Sequence, residues 1–412
     1  MFPSSLTTLP AVNNAVSVLL LHHKPPSRSL SSGRINIRKK ERLFPNRSNP
    51  VRRHFLNQFS VNYTKRSTKV RSVRKVEEKK TFKDILMTIW HSREASLIIV
   101  LIILSVIMSI ATPAFTTREN LISFIKQCAI GCVASMGQTF IVASANIDLS
   151  IGEIMNMSGI LMAMFIKAFT VGDGVLVGNT WWGAVLSWLL AMIIGACLGW
   201  MNGFLLTKLR LPAFIITLGT QYIIRGIDQV ITKGYPVTID NGAIIHKIGV
   251  GGVDALGGLP YLFFFVPIAA VVGWFILDRT VLGNHIKALG GNETAARLSG
   301  LNTTKLRVLT YIICGIFAGY SAIMMVARLN SGSVAGAGNV SMDAVAATVV
   351  GGTSMSGGNG SVIGTLLGCV LMQFIKTSMV LLQVNMYWQT AVIGVVLIAV
   401  CGLDSLTQKI TR

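Results

Sequence analysis

Nine long apolar stretches limit this chain to one class of fold. Each is close to the length that a helix needs to cross about 30 Å of hydrocarbon. Hydrophobic residues make up 52% of the 412 positions and charged residues 13%, which favours a membrane protein over a soluble domain. With a shorter tenth piece, Ala344–Gly352, we predict an all-α, polytopic membrane helical bundle of about ten transmembrane segments, one of them short and broken. The nine stretches are Ser96–Pro113, Leu121–Ala143, Ile151–Val171, Trp182–Leu206, Ala213–Ile231, Leu262–Leu277, Leu309–Ala327, Val362–Leu382 and Trp388–Leu403.

Residues 1–80 differ in composition from the rest of the chain. They hold 18 Lys and Arg and three Glu, and so carry +15 of the formal net charge of +21. Such a segment is disordered in isolation. Three interpretations stay open: a dispensable tail, a mis-assigned start with the native chain beginning nearer Met87, and an organellar transit peptide. We predict a basic, disordered extension over residues 1–80 and a transmembrane domain over residues 81–412, with no nucleic-acid partner.

The chain lacks the motifs of nucleotide-binding and hydrolytic enzymes. It contains no G-x-x-x-x-G-K-[ST] phosphate loop, no HExxH motif and no nucleophile elbow. All six cysteines lie in apolar runs, where cysteine packs as a small hydrophobic residue, so neither disulfides nor a metal site is predicted. We expect a protein that is not an enzyme and binds no cofactor itself. If ATP drives it, another subunit binds the ATP.

Glycines recur at every fourth position in two of the apolar stretches, at Gly195, Gly199 and Gly203 and again at Gly315 and Gly319. This spacing lets helix backbones approach closely in lipid. It predicts a compact bundle and no particular activity.

The first polar break lies between the second and third stretches and reads Ala-Asn-Ile-Asp-Leu-Ser-Ile-Gly-Glu over residues 145–153. Ionisable groups at membrane depth are costly and usually functional. However, Asn, Asp and Ser are also the residues that cap the N-terminus of a helix. A capping role and a direct role in transport therefore both stay open. The candidate residues of this break are Asn146, Asp148, Ser150 and Gly152.

The second polar break is a short apolar helix that gives way to glycine and hydroxyl residues over residues 342–361. Unwound backbone at membrane depth is tolerated only where it is buried in protein or lines a wet cavity. A broken helix is therefore a pointer to a translocation pathway. Its candidate residues are Asp343, Gly351, Gly352, Thr353, Ser354, Gly357 and Gly358.

Four further ionisable residues fall in or beside the apolar stretches: Lys126, Arg225, Asp228 and Lys376. Long charged side chains near the ends of a span can reach the interface. We interpret these four as snorkelling side chains without a direct function.

A polar island, Asp278–Arg307, separates the sixth and seventh stretches. Asn292 is placed to cap a helix, Glu293 follows at the positive end of its dipole, and Gly300 can close it in the left-handed conformation. The island carries five basic and two acidic residues, and this bias predicts a cytoplasmic location. A two-turn helix outside the bilayer follows, either as a docking element or as a plain solvated connector.

Three segments together carry a family resemblance. They read ANIDLSIGEI, LGNHIKALGGNETAARLSGLNTTKLRVLTY, and VSMDAVAATVVGGTSMSGGNGSVIGT with the span that follows it. With these segments in this order, the chain resembles the permease subunit of bacterial ABC importers of the ribose, xylose and arabinose type, over about Phe82 to Leu403. Relatives usually have paired glycines before Ile-Asp-Leu-Ser, where this chain has Ala145 and Asn146. Asn146 is the residue expected to tolerate a positive φ there.

The resemblance implies several partners in addition to membrane lipid. They are a second permease copy or paralogue that completes a dimer, a cytoplasmic ATPase subunit that binds ATP and Mg, and a periplasmic or lipid-anchored sugar-binding protein. It also implies that the loop before the seventh span supplies a coupling helix that seats in the ATPase. The coupling residues by this resemblance are Gly291, Asn292, Glu293, Ala295, Ala296, Arg297, Ser299 and Gly300.

The charges of the loops predict the orientation. If ten segments cross and the N-terminus is cytoplasmic, nine Lys and Arg fall inside and four fall outside, which favours two cytoplasmic termini. The resemblance implies a multi-pass protein of the bacterial cytoplasmic membrane.

The resemblance implies an ATP-driven importer of a monosaccharide that works by alternating access. The alternative is a secondary transporter in which Asp148 and Glu153 carry protons. A purely structural subunit is a third class, but it would not need a broken glycine-rich helix. Tight sugar pockets depend on hydrogen bonds and aromatic stacking, and no such cluster stands out in the spans. Which sugar passes therefore stays open.

Overall fold

A computed structural model describes residues 93–171, 175–240, 243–385, 387–389, 391–396 and 398. The extension predicted over residues 1–80 lies outside the described residues, and so does part of the ninth predicted span. The helices, in chain order, are α1 (Arg93–Ala111), α2 (Arg118–Ala143), α3 (Ile151–Ala168), α4 (Trp181–Leu209), α5 (Ala213–Thr232), α6 (Ile244–Val250), α7 (Tyr261–Trp274, continued by a π-helical segment, Phe275–Arg279), α8 (Val281–Gly291), α9 (Glu293–Leu298), α10 (Thr303–Leu329), α11 (Val340–Val350) and α12 (Val362–Leu381).

The described part of the chain is a helical membrane bundle, as predicted. Seven of its helices are long and apolar enough to cross a membrane: α1, α2, α3, α4, α7 with its π-helical continuation, α10 and α12. The helix at the fifth predicted span, α5, is not among them, because Gln, Arg and Asp residues interrupt its apolar sequence. A shorter apolar helix, Tyr387–Val396, lies where the ninth span was expected. The total of ten crossings stays a prediction.

Short connections join the helices. Three short 3-10 segments occur in the described residues, at Pro113–Thr116, Val177–Asn179 and Asp254–Leu256. The strands there have two residues each and form three antiparallel pairs: Thr170–Val171 with Val175–Leu176, Val237–Thr238 with Ser331–Gly332, and Gly252–Val253 with Leu259–Pro260.

The helices α2, α3 and α10 form the centre of the bundle. Between 72% and 78% of their membrane-spanning windows is buried, against 6% for α1. In lipid, a polar side chain is least costly where it faces other helices. The centre is accordingly where the buried polar residues of α2 and α3 lie, among them Gln138, Thr139 and Asn156.

The predicted glycine spacing holds α4 against α10. A Cβ atom on Gly195 would lie 2.1 Å from the carbonyl oxygen of Gly315, and one on Gly315 would lie 2.0 Å from that of Gly195. Neither position has room for a side chain, so the two backbones are in direct contact. This packing matches the small-residue interfaces of membrane helices.

The central helices define two ends of the bundle. Gly358, in the loop after α11, donates its N–H to the carbonyl oxygen of Ala143 at the end of α2 (2.9 Å), and the end of α8 packs on both. We call this the island end. We call the region around the end of α10, where Arg328 lies, the far end, and it includes the start of α11, which also contacts Gly152 at the start of α3.

Candidate functional site

Three chain segments meet at the island end through glycine residues. We call this contact the glycine junction and define it as Ala143–Ala145, Gly290–Gly291 and Gly357–Gly358. A Cβ on Gly290 would lie 2.0 Å from the carbonyl oxygen of Ala143. The Cα atoms of the other glycines pack at similar closeness: a Cβ on Gly357 would lie 2.8 Å from the Cα of Gly290, and one on Gly358 would lie 3.0 Å from that of Gly291. The junction therefore joins the first polar break, the second polar break and the island.

Backbone conformation adds to the demand for glycine at the junction. Gly357 and Gly358 have φ of 75° and 82°, which side chains rarely allow. Ala145 also has a positive φ, 59°, although it carries a Cβ. Asn146, a residue type that tolerates a positive φ, does not adopt one. The Asn146 side chain instead donates to the carbonyl oxygen (3.0 Å) and hydroxyl (3.1 Å) of Ser144.

A buried network organises the first polar break. Oδ1 of Asp148 accepts hydrogen bonds from the N–H (2.8 Å) and hydroxyl (2.6 Å) of Ser150. Asn202 of α4 donates to the same hydroxyl at 2.7 Å. All three side chains are fully buried. Burial raises the pKa of the Asp148 carboxyl above its usual range, and the hydrogen bonds from Ser150 act in the opposite direction.

The capping role foreseen for this break takes a different form. Ser150 occupies the N-cap position of α3 but makes no side-chain cap hydrogen bond. Instead, the carboxylate of Asp148 accepts from the N–H of Ser150, two residues further along the chain. Asp side chains favour local turns of this kind. Asp148 therefore fixes the entry into α3, and sequence reasoning had not linked it to Asn202.

The first break is also tied to the second at the start of α3. The N–H of Gly152 donates to the hydroxyl of Ser341 on α11 (3.0 Å). Asn156, one turn further along α3, donates to Glu153 (2.9 Å) and to the carbonyl oxygen of Val334 (2.8 Å). The start of α3 is thus held against the start of α11 and the segment that precedes it.

The island forms two helices, α8 and α9. As predicted, Asn292 caps α9 by accepting from the N–H of Ala295 (2.9 Å), and Gly300 follows with a φ of 88°. Ion pairs brace the island: Lys287 with Asp278, and Arg307 with Glu293. Such pairs fix the geometry of an exposed loop more than they stabilise it.

The outer face of α9 is exposed. Of the predicted coupling residues, Ala296 is buried and the other seven are exposed, namely Gly291, Asn292, Glu293, Ala295, Arg297, Ser299 and Gly300. Leu298 was missed by sequence reasoning and has 82% of its surface exposed. A single exposed apolar residue is common at protein surfaces, so Leu298 adds a contact candidate to α9 and does not by itself identify a partner.

The second polar break forms a bent connector between α11 and α12. Helix α11 ends at Val350, and Gly352 turns the chain with a φ of 90°. A Cβ on Gly351 would lie 2.4 Å from the backbone of Gly364 on α12, so α11 packs directly on α12. Thr353 is buried and accepts from the N–H of Ser361 (3.3 Å). Ser354 lies between this turn and the glycine junction.

The snorkelling interpretation is wrong for Asp228 and Lys376. Lys376 on α12 forms an ion pair with Asp343 on α11, at the far end of the bundle. Asp228 on α5 is fully buried. Arg225 keeps 47% of its side chain exposed but also lies 3.6 Å from Glu153, and Lys126 donates to the carbonyl oxygen of Val250 (3.2 Å). These contacts link residues far apart in the sequence, and no local pattern reveals them.

Comparison with known proteins gives a consistent result. The profile of a family described as branched-chain amino acid transport system, permease component, matches residues 120–401. The ribose import permease protein of Escherichia coli K12 is 32% identical over 77% of this chain and 95% of its own length. That of Bacillus subtilis 168 is 34% identical over 74% and 90%. The D-allose transport system permease protein of Escherichia coli K12 is 31% identical over 83% and 99%. No solved structure matches the chain.

Proposed function

Because the chain belongs to the family of transport-system permease components, we propose that it is the permease subunit of an ATP-driven importer that moves a monosaccharide by alternating access. The family and the apolar helices make it a multi-pass inner-membrane protein and a transporter component. The monosaccharide is taken from the names of the relatives, which include ribose, galactose and allose permeases.

The glycine junction is the observation that carries the proposal. The island exposes Leu298 and Arg297 on α9, and the end of α8, directly before α9, packs against the end of α2 and the loop after α11. A plain connector would not need the close backbone contacts. The geometry supports an element that receives a partner on one side and transmits its position to the two polar breaks on the other.

The mechanism follows from this arrangement. The partner ATPase binds ATP and Mg, and its movement displaces α9 and α8. Because Gly290 contacts the backbone at Ala143 without an intervening side chain, the displacement reaches the end of α2 directly. The loop at Gly357 and Gly358 passes it to α11. The solute path then opens alternately to the two sides of the membrane, and this chain forms no covalent bond with the solute.

The remaining assignments belong to the same proposal. The island and both termini are cytoplasmic, as the loop charges favour. A second permease copy or paralogue completes a dimer, and an extracytoplasmic sugar-binding protein delivers the solute. No nucleotide, metal or nucleic acid is bound by this chain.

The experiment is sugar uptake by the purified transporter in proteoliposomes, with the permease, its ATPase and its binding protein present. Uptake of radiolabelled D-ribose, D-galactose or D-allose is measured with internal ATP after the proton gradient is collapsed, and with a proton gradient but without ATP. We expect uptake of at least one sugar under the first condition only. Uptake under the second condition alone would instead favour proton-coupled transport through Asp148 and Glu153.

A further inference from the structure

A cavity of about 190 Å³ lies at the far end of the bundle. Its walls come from α2, the end of α10, the start of α11 and α12. We call it the far-end pocket. Among its polar side chains are Gln127, Arg328, Asn339, Asp343, Gln373 and Lys376. A cavity between membrane helices with several convergent polar groups is the kind of place where small polar ligands bind.

The polar groups of the pocket are partly paired with one another. Lys376 donates to Oδ2 of Asp343, and Nε2 of Gln373 donates to Oε1 of Gln127 (3.1 Å). These pairs come from three helices and hold the walls in place. They leave one charged residue, Arg328, that forms no ion pair within the described residues.

One strong acceptor in the pocket has no partner. Oδ1 of Asp343 is buried and accepts no hydrogen bond from the described residues. A buried carboxylate oxygen without a donor costs free energy, and a ligand hydroxyl could remove that cost. Arg328 and Asn339 can donate to ligand oxygens, and Asn339 and Gln127 can accept from ligand hydroxyls.

The unpaired carboxylate oxygen of the pocket, and not its net charge, favours a neutral ligand. Asp343 and Lys376 neutralise each other, so only the charge of Arg328 remains. The fixed carboxylate of Asp343 would repel an anionic ligand. Neighbouring hydroxyl groups of a neutral ligand can donate to this carboxylate and accept from the guanidinium of Arg328. The donor and acceptor set therefore fits a neutral, hydroxyl-rich molecule better than a phosphate or a carboxylate.

The pocket and the glycine junction are connected by two helices. Gln127 and Ala143 lie on α2, and 16 residues of helix separate them by about 24 Å. Asp343 lies in the first turn of α11, and the loop after α11 enters the junction at Gly357. A ligand that holds α11 against α12 would thus bias the position of the loop that contacts the island.

We infer that the far-end pocket is a binding site for a neutral monosaccharide in the permease itself, with Asp343 and Arg328 as its main contacts. The inference rests on the proposed function and adds a site to it. The pocket receives the sugar, and its occupancy is coupled through α11 to the glycine junction.

The test uses a cysteine that the pocket already contains. The thiol of Cys369 lines the cavity and is otherwise almost fully buried. The complete transporter is alkylated with N-ethylmaleimide, and the Cys369 peptide is followed by mass spectrometry, with D-ribose, D-galactose, D-allose or D-ribose 5-phosphate present. At a sugar concentration about ten times the dissociation constant, labelling slows about tenfold, because only empty sites react.

Two variants with matched controls assign the contacts. Asp343→Asn removes the charge of the acceptor. Arg328→Gln removes the charged guanidinium, and no carboxylate loses an ion-pair partner because Arg328 forms no ion pair within the described residues. Each is expected to raise the half-protecting sugar concentration about tenfold or more, as loss of a hydrogen bond to a charged group does. The controls are Asp254→Asn and Arg118→Gln, which lie on exposed positions outside the pocket and should leave the protection unchanged.

The outcomes separate the two proposals. ATP-driven uptake of a sugar that neither protects Cys369 nor depends on Asp343 and Arg328 would overturn the pocket and leave the proposed function. Protection by D-ribose 5-phosphate at lower concentration than by D-ribose would overturn the neutral ligand class. Protection by a neutral sugar without any ATP-driven uptake would keep the pocket and overturn the proposed function.

Discussion

The two ends of the central helices are built in opposite ways. At the island end, Gly290 and Gly357 bring backbones into contact with no side chain between them. At the far end, charged and amide side chains surround a cavity of about 190 Å³ between the same helices. Close-packed backbone has little freedom to rearrange, whereas side chains around a cavity can adjust. One end is suited to transmitting movement and the other to holding a small solute.

The largest effect is expected when a methyl group is added at the island end. In Gly290→Ala the new Cβ would meet the carbonyl oxygen of Ala143, which is backbone and cannot move alone. We expect a loss of about 1–3 kcal/mol in the free energy of unfolding, in line with overpacking elsewhere, and ATP hydrolysis uncoupled from uptake. Thermal unfolding and the ratio of sugar moved to ATP hydrolysed measure the two effects.

Two matched substitutions sharpen this prediction. In Gly291→Ala the nearest atom to the new Cβ is 3.6 Å away, which is ordinary contact. In Gly273→Ala, on α7, the new Cβ would lie 3.4 Å from the ring of Phe317, a side chain that can shift. Both variants should keep most of their coupling. An equal loss of stability and of coupling in all three variants would show that the glycine junction is no more rigid than the rest of the bundle.

The next effect, of similar size, is expected at Asp148, where it separates a structural role from proton transfer. Asp148→Ala leaves the buried N–H of Ser150 without its acceptor and should cost about 1–3 kcal/mol of stability. Asp148→Asn keeps an acceptor at the same place and carries no titrating proton. We expect Asp148→Asn to retain ATP-driven uptake. Uptake lost in a folded Asp148→Asn variant would revive the proton-carrying role.

The exposed face of α9 should affect assembly and not folding. Leu298→Ser removes an exposed apolar side chain and Arg297→Glu reverses a charge, so each should weaken binding of the ATPase about tenfold, a loss near 1.4 kcal/mol. Unfolding temperatures should stay close to that of the unsubstituted protein. Leu256→Ser, at an exposed leucine outside the island, is the control. Undiminished ATPase binding by both island variants would remove α9 from the contact.

The smallest effect is expected from the cap of α9. Asn292→Ala loses the hydrogen bond from the N–H of Ala295, and caps of this kind contribute about 1 kcal/mol. In so short a helix the loss should appear as faster amide hydrogen exchange over residues 293–298, with global stability unchanged. Asn302→Ala removes the equivalent cap of α10 and should be nearly silent, because a long packed helix holds its own first turn.

Local patterns predicted part of this molecule. The apolar stretches predicted the seven long apolar helices, the glycine spacing predicted close helix packing, which is found between α4 and α10, and Asn292 with Gly300 predicted the bounds of α9. Each of these depends on residues that are neighbours in sequence or share one helix face. The helix α5 covers the fifth predicted stretch, although Arg225 and Asp228 interrupt its apolar sequence, and whether it crosses the membrane stays a prediction.

The features that were missed all depend on distant residues. The positive φ falls on Ala145 and not on Asn146, because the loop at Gly357 packs against the Ala145 position. The far-end pocket draws its polar groups from α2, α10, α11 and α12, so no window of the sequence contains it. That is why no sugar-binding cluster stood out in the individual spans.

Site-directed cross-linking tests the central claim, that the island end contacts the ATPase. Leu298→Cys and Leu256→Cys are introduced separately into the complete transporter, and each thiol is coupled to nearby amines with a short bifunctional reagent. We predict that Leu298→Cys joins the permease to the ATPase subunit, more so than Leu256→Cys, and that the adduct stops ATP-driven uptake. An active transporter in which Leu298→Cys forms no adduct with the ATPase, while Leu256→Cys does, would contradict the account.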